Sequence, residues 1–177
     1  MNNTAVSANG QNAQVQGTNH MIFIDEEHER FFYEKLPQAR YPDCYHQALI
    51  YALGISRDTR AHFSQIYDIE TGEVKRNCLR QGWQTSGSLK VVRLALNLYT
   101  NATPTVDNQK SKEDKIRECR EYSVEEIFCC EYAPFFWEAV KLRYPEYAKP
   151  PRPIEQILAE MRLKRAENKV DGNENRY

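Results

Sequence analysis

The chain has 177 residues and a mass of 20.8 kDa; 41% of its residues are hydrophobic, 28% are charged, and the mean hydropathy is -0.76. That length suits one domain, and no run approaches the ~18 consecutive apolar residues of a membrane-spanning helix. Its 24 Lys and Arg against 25 Asp and Glu leave a formal charge of -1, which excludes both a wholesale phosphate binder and an acidic DNA mimic and confines any electrostatic site to a local patch.

Residues 1–20 contain no Asp, Glu, Lys or Arg and are rich in Asn and Gln. Such a segment cannot bury enough surface to offset its ordering entropy, so a disordered leader is expected over 1–20. A globular domain is expected from 21 to 147. Met21-Ile22-Phe23-Ile24 opens it, and Asp25 stands where an N-cap belongs for a helix from Glu26 to Leu36. Glu26 and Glu27 suit its positive end, and Pro37 stops it. Asp43 caps a second helix on which His46, Leu49, Ile50 and Leu53 recur at helical spacing, with Gly54 expected just past its end. Asp58 is read as the cap of a short third helix. Asp68 to Val74 reads as a turn, since Asp, Glu and Gly are poor strand formers.

The strongest element runs from Ser88 to Tyr99. Leu89, Val91, Val92, Leu94, Ala95, Leu96 and Leu98 leave few polar positions. A helix that apolar is buried on several sides, so it is placed at the centre of the domain. A charged helix follows from Lys112 to about Glu121. Ser123 and Glu126 then have capping-box spacing, and Pro134 begins a segment whose aromatics, from Phe135 to Tyr144, are expected against the central helix. Lys149-Pro150-Pro151-Arg152-Pro153 closes a stiff linker over 148–153. Ile154, Ile157, Leu158 and Met161 form a narrow apolar stripe on a helix expected over 154–167, and a polar, disordered tail is expected over 168–177. The expected fold is mainly α: a compact helical domain around a buried central helix, with a Pro-linked C-terminal amphipathic helix.

The densest chemistry lies between Val74 and Arg93, where Lys75, Arg76, Arg80, Lys90 and Arg93 meet no acidic residue. Trp83, Ser86 and Ser88 sit among them, directly before the central helix. Hydroxyls and backbone N–H groups at a helix start hold phosphate or carboxylate, and an indole stacks on a base. These eight residues form the candidate surface for RNA or an acidic partner. The C-terminal stripe suits a partner groove or self-association.

No metal site is expected. Cys44 and His46 are two apart, Cys129 and Cys130 adjacent, and none of the five cysteines has zinc-ligand spacing. Odd, unpatterned cysteines and the lack of a secretory leader fit a cytoplasmic protein. No P-loop, G-x-G-x-x-G, G-x-S-x-G or H-E-x-x-H occurs, and no cofactor is expected. His28, His46 and His62 are the groups from which an acid/base pair would have to be built.

Met21-Ile22-Phe23-Ile24-Asp25-Glu26-Glu27-His28, then Thr85-Ser86-Gly87-Ser88 leading into Leu94-Ala95-Leu96-Asn97-Leu98-Tyr99, then Phe135-Phe136-Trp137-Glu138-Ala139-Val140 with Arg143-Tyr144, resemble a family of small uncharacterised proteins of plasmids and conjugative elements of Gram-positive bacteria. The resemblance covers about Met21 to Tyr147 and rests on caps and core. It implies a mobile-element accessory protein that acts by binding a host defence protein or ribonucleoprotein, such as a type II CRISPR nuclease with its guide RNA, as an anti-CRISPR inhibitor. The competing expectation is an enzyme that cuts or trims guide RNA.

Overall fold

The structure, a computed structural model, describes residues 21–75, 77–102, 111–148, 155, 158, 159 and 161–163. In chain order the domain runs α1 (Glu26–Lys35), a 3-10 turn (Leu36–Gln38), α2 (Cys44–Gly54), α3 (Arg57–Ala61), α4 (Phe63–Ile66), β1 (Tyr67–Asp68), β2 (Glu73–Val74), α5 (Ser86–Thr100), α6 (Lys112–Arg120), α7 (Val124–Phe128) and α8 (Ala133–Arg143). It is mainly helical, as the periodicity predicts. Residues 155, 158, 159 and 161–163 are helical too. The expected leader, linker and tail fall outside the described residues, apart from Ala148, as do Ile154 and Ile157.

Local chemistry sets most boundaries. Asp25 Oδ1 accepts from the His28 N–H at 2.6 Å and starts α1; Asp43 Oδ1 accepts from the His46 N–H at 3.0 Å and starts α2. α1 ends at Lys35, one residue earlier than expected, because Pro37 tightens the chain into the 3-10 turn. Ser56, not Asp58, caps α3, its hydroxyl accepting from the Asp58 N–H at 3.2 Å. Gly54 is the last residue of α2 rather than the residue beyond it. Its role is close approach: a Cβ there would lie 2.5 Å from His28 Cδ2.

Two helices share the centre. α5 is buried through Val91, Val92, Leu94, Ala95, Leu96 and Leu98, and α2 is buried without a break from Ala48 to Gly54. α2 packs on α1, α3, α5 and α8. The aromatic segment from Pro134 was expected on the central helix, but α8 packs chiefly on α2. Phe136 and Ala139 are buried in it, whereas Trp137 faces outward at 55% exposure. Phe23 seals the opening of the domain, its ring packed against those of His28, Phe32, Tyr33 and Tyr51.

Asp68–Val74, expected as a turn with a short hairpin as the disfavoured alternative, forms a minimal hairpin in which Tyr67 pairs with Val74 and Asp68 with Glu73. Gly72 adopts φ 78° in the turn, a conformation that favours glycine. Tertiary contacts overcome the poor strand propensity: Tyr67 is buried, and the Tyr99 hydroxyl on α5 donates to the Gly72 carbonyl at 2.9 Å.

Candidate functional site

The leading end of α5 is built by Thr85. Its hydroxyl accepts from the Ser88 N–H at 3.2 Å while Ser88 Oγ accepts from the Thr85 N–H at 2.8 Å, a reciprocal capping box. Ser88 is thereby turned inward at 1% exposure. Thr85 and Ser86 remain exposed, as does Arg80, which has no ion pair with any described residue. Trp83 is half-buried and stacks on His62, with ring centroids 4.4 Å apart and planes 5° apart, and its Nε1 donates to Gln65 Oε1 at 2.9 Å.

The other described cations of the run, Lys75, Lys90 and Arg93, are engaged. Lys75 Nζ lies 2.7 Å from Asp68 Oδ2, and this hydrogen bond, with one from the Thr71 backbone, holds the Asp68 carboxyl down at about 2. Lys90 Nζ reaches Glu126 Oε1 at 3.4 Å and the Cys129 carbonyl at 3.2 Å. Arg93 is clamped between Glu118 at 3.2 Å and Glu121 at 3.0 Å. A run without acids in sequence therefore meets acids in space, from α6, α7 and the hairpin. The structure does not bring the eight predicted residues together as one open cationic surface. What stays open is Arg80 with Thr85 and Ser86. Arg76 lies outside the described residues.

Capping-box spacing predicts two hydrogen bonds between Ser123 and Glu126, of which one forms. Ser123 accepts from the Glu126 N–H at 3.1 Å, whereas the Ser123 N–H donates to the Arg120 carbonyl and the Glu126 carboxylate goes to Lys90. The expected capping box at α7 is thus half formed, and the side chain it would have used ties α7 to α5.

The three histidines occupy separate local environments. His28 is fully buried; its Nε2 donates to the Tyr51 carbonyl at 2.8 Å and its Nδ1 accepts from the Ile24 N–H at 3.4 Å. Burial pushes its pKa down to about 4, and Arg60 nearby adds to this against the opposing Tyr51 hydrogen bond. His46 is buried with Nδ1 2.7 Å from Asp43 Oδ1 and Nε2 3.4 Å from the Tyr99 hydroxyl. Asp43 sits below the ordinary carboxylate range: its slight burial opposes this, but hydrogen bonds from the His46 backbone and ring outweigh it. His62 lies under Trp83. Among the described residues no three of His, Cys, Asp and Glu gather as metal ligands, and no helix is long and apolar enough to cross a membrane.

Two features escaped the sequence reading. Arg143, 7% exposed, donates to the Leu98 carbonyl at 2.8 Å and to Asn101 Oδ1 at 3.1 Å, and its guanidinium lies 3.4 Å from the Tyr45 ring centroid. It ties α8 to the carbonyl end of α5 and to the start of α2. The second is a groove of about 580 Å3 lined by Trp137, Val140, Lys141, Tyr144, Tyr147 and Ala148. Its one charged lining residue, Lys141, is neutralised by Glu138 at 2.6 Å. The only sequence signal for it was a tryptophan at a position that the helical period points away from the buried Phe136 and Ala139.

Residues 18–156 match the family described as "Family of unknown function (DUF6075)". No curated protein and no solved structure matches the chain.

Proposed function

The chain belongs to the family of unknown function (DUF6075), and we propose that it works by binding an anionic partner at the front of α5. The observation that carries this reading is the exposure of Arg80, Thr85 and Ser86, which lie close in sequence at and just before the start of a 15-residue helix. Backbone N–H groups of a first helical turn meet anions with the positive end of the dipole behind them, and a free guanidinium adds a bidentate donor. Lys75, 43% exposed and five residues before Arg80 in sequence, trades Asp68 for a phosphate at little cost, because exposed ion pairs are weak.

The resemblance to small proteins of mobile elements supplies the partner class, a host defence ribonucleoprotein, and a type II RNA-guided nuclease is the candidate within it. Its guide RNA presents the phosphates these residues suit. The protein is then an anti-CRISPR inhibitor that acts by occupancy in the cytoplasm. The test is target cleavage by purified nuclease and guide with rising amounts of this protein. Cleavage is expected to fall, and binding to the guided nuclease to weaken as salt rises. Arg80→Glu is expected to reduce binding by about tenfold, the order of one phosphate contact reversed in sign. Full cleavage at large excess overturns the reading. Shortened guide in the same reaction would instead support the guide-cutting enzyme.

A further inference from the structure

Tyr99 carries one hydroxyl proton and faces two acceptors. Its Oη lies 2.9 Å from the Gly72 carbonyl, in the turn of the hairpin, and 3.4 Å from His46 Nε2, on α2. The Tyr67 hydroxyl stands 3.4 Å from the same oxygen. A carbonyl only accepts, so the bond that ties the hairpin to α5 consumes the Tyr99 proton. Tyr67 has its own proton to give, since burial pushes its pKa up and keeps it a phenol.

The state of His46 then decides the balance. Its Nδ1 lies 2.7 Å from Asp43 Oδ1, and Asp43, below the ordinary carboxylate range, is ionised and accepts. Nδ1 therefore keeps a proton, and in the neutral ring Nε2 is a bare lone pair. That lone pair faces an oxygen whose proton has gone to Gly72, at a residue only 5% exposed. A buried acceptor left unpaired is costly, so the neutral ring competes with Gly72 for the Tyr99 proton. The imidazolium reverses this. Nε2–H donates to Tyr99 Oη, Tyr99 donates to Gly72, and every polar atom of the relay has a partner.

The groups around the ring leave this choice to His46. Asp43 offsets the charge that burial would otherwise penalise. Tyr41, under the Arg40 guanidinium, Tyr67 and Tyr99 meet the ring edge-on. On α8, Arg143 is spent on the Leu98 carbonyl, Asn101 and Cys44 Sγ. On the hairpin, Lys75 is paired with Asp68, whose carboxyl is held down at about 2.

We propose that His46 is a proton-operated latch for the β1–β2 hairpin: protonated, it locks the turn onto α5 through Tyr99, and neutral, it takes the Tyr99 proton from Gly72 and lets the turn open. The inference is independent of the anion-binding reading, since it needs neither Arg80 nor a ligand.

Hydrogen exchange of the full chain between about pH 5 and pH 7.5, above the carboxylates and below the thiols, tests it. The Gly72 N–H donates to the Asp68 carbonyl at 2.8 Å and the Lys75 N–H to the Ile66 carbonyl at 2.9 Å, so both report opening of the hairpin. Corrected for the intrinsic rise of exchange with pH, their protection is expected to fall about tenfold across the interval, the worth of one buried hydrogen bond. Tyr99→Phe keeps the ring and removes the hydroxyl; it is expected to lower the protection at pH 5 and to abolish the pH dependence. His46→Gln is expected to abolish the dependence as well, whereas His62→Gln, between α3 and α4, is expected to leave it intact. Protection that stays level or rises with pH in the natural chain, a dependence that survives Tyr99→Phe or His46→Gln, or one that is lost in His62→Gln overturns the proposal.

Discussion

The His28 ring and the backbone of Gly54 meet at close range in the N-terminal half of the domain. His28 is buried in its neutral form, donating from Nε2 to the Tyr51 carbonyl, with its pKa lowered from 6.5 to about 4. The folded state resists the proton that the unfolded chain takes up, so this group's contribution is complete above pH 6.5. It drains away as pH falls toward 4. At about 1.4 kcal/mol per pH unit the interval amounts to ~3 kcal/mol. Urea midpoints at pH 7 and pH 4.5 are expected to differ accordingly for the natural chain and to differ less for His28→Gln; equal pH dependence in both would remove His28 as the cause. Gly54 faces the same ring. In an open helix Gly→Ala adds up to ~1 kcal/mol, but here the added Cβ would sit 2.5 Å from His28 Cδ2 and 2.9 Å from its Nε2. Gly54→Ala is expected to destabilise by ~2 kcal/mol through overpacking, and a raised melting temperature would contradict the close approach.

Helix starts were legible in the sequence where one short polar side chain decides them. Asp25, Asp43 and Ser123 each accept a hydrogen bond from an N–H three residues on, a contact that needs nothing from the rest of the fold. The readings that failed depended on choices among neighbours or on distant partners. Ser56 and Asp58 both suit a cap, and Ser56 takes it. Glu126 suits a capping box, but Lys90, from a different helix, holds its carboxylate. α6 is the extreme case. It has helix-forming composition, a Ser111 cap and no buried residue, so its position rests on Arg93, whose guanidinium meets Glu118 and Glu121. Arg93→Met is expected to cost only ~1 kcal/mol of global stability, because Glu121 is partly solvated. It is expected to accelerate amide exchange over 112–120 while leaving that of α5 unchanged. Uniform acceleration across both helices would show that Arg93 supports the core and not α6 alone.

At the scale of the whole molecule, α2 and α5 form a buried pair; the hydrophobic pattern announced α5, because burial on several sides leaves almost no polar positions, whereas α2 showed only a periodic stripe in sequence and its burial on several sides is set by the helices around it. The site was less legible, since whether a lysine or arginine is free depends on which acids the fold brings to it, and Glu118 and Glu126 lie 25 and 36 residues away from Arg93 and Lys90. Burial has a consequence for the thiols. Cys119 and Cys129 are exposed, whereas Cys78 is 4% exposed, and burial pushes its pKa up to about 11. The thiolate is the reactive form, so at pH 8 only about a thousandth of Cys78 is reactive even where reagent reaches it. Alkylation in native buffer is expected to modify Cys119 and Cys129 first. Cys78 is expected to react at a rate set by opening of the domain, rising with urea in proportion to the unfolded fraction. If Cys78 instead reacts as fast as Cys129 without denaturant, the loop between the hairpin and α5 opens independently of the core, and the anion-facing residues that loop carries are not held in place by it.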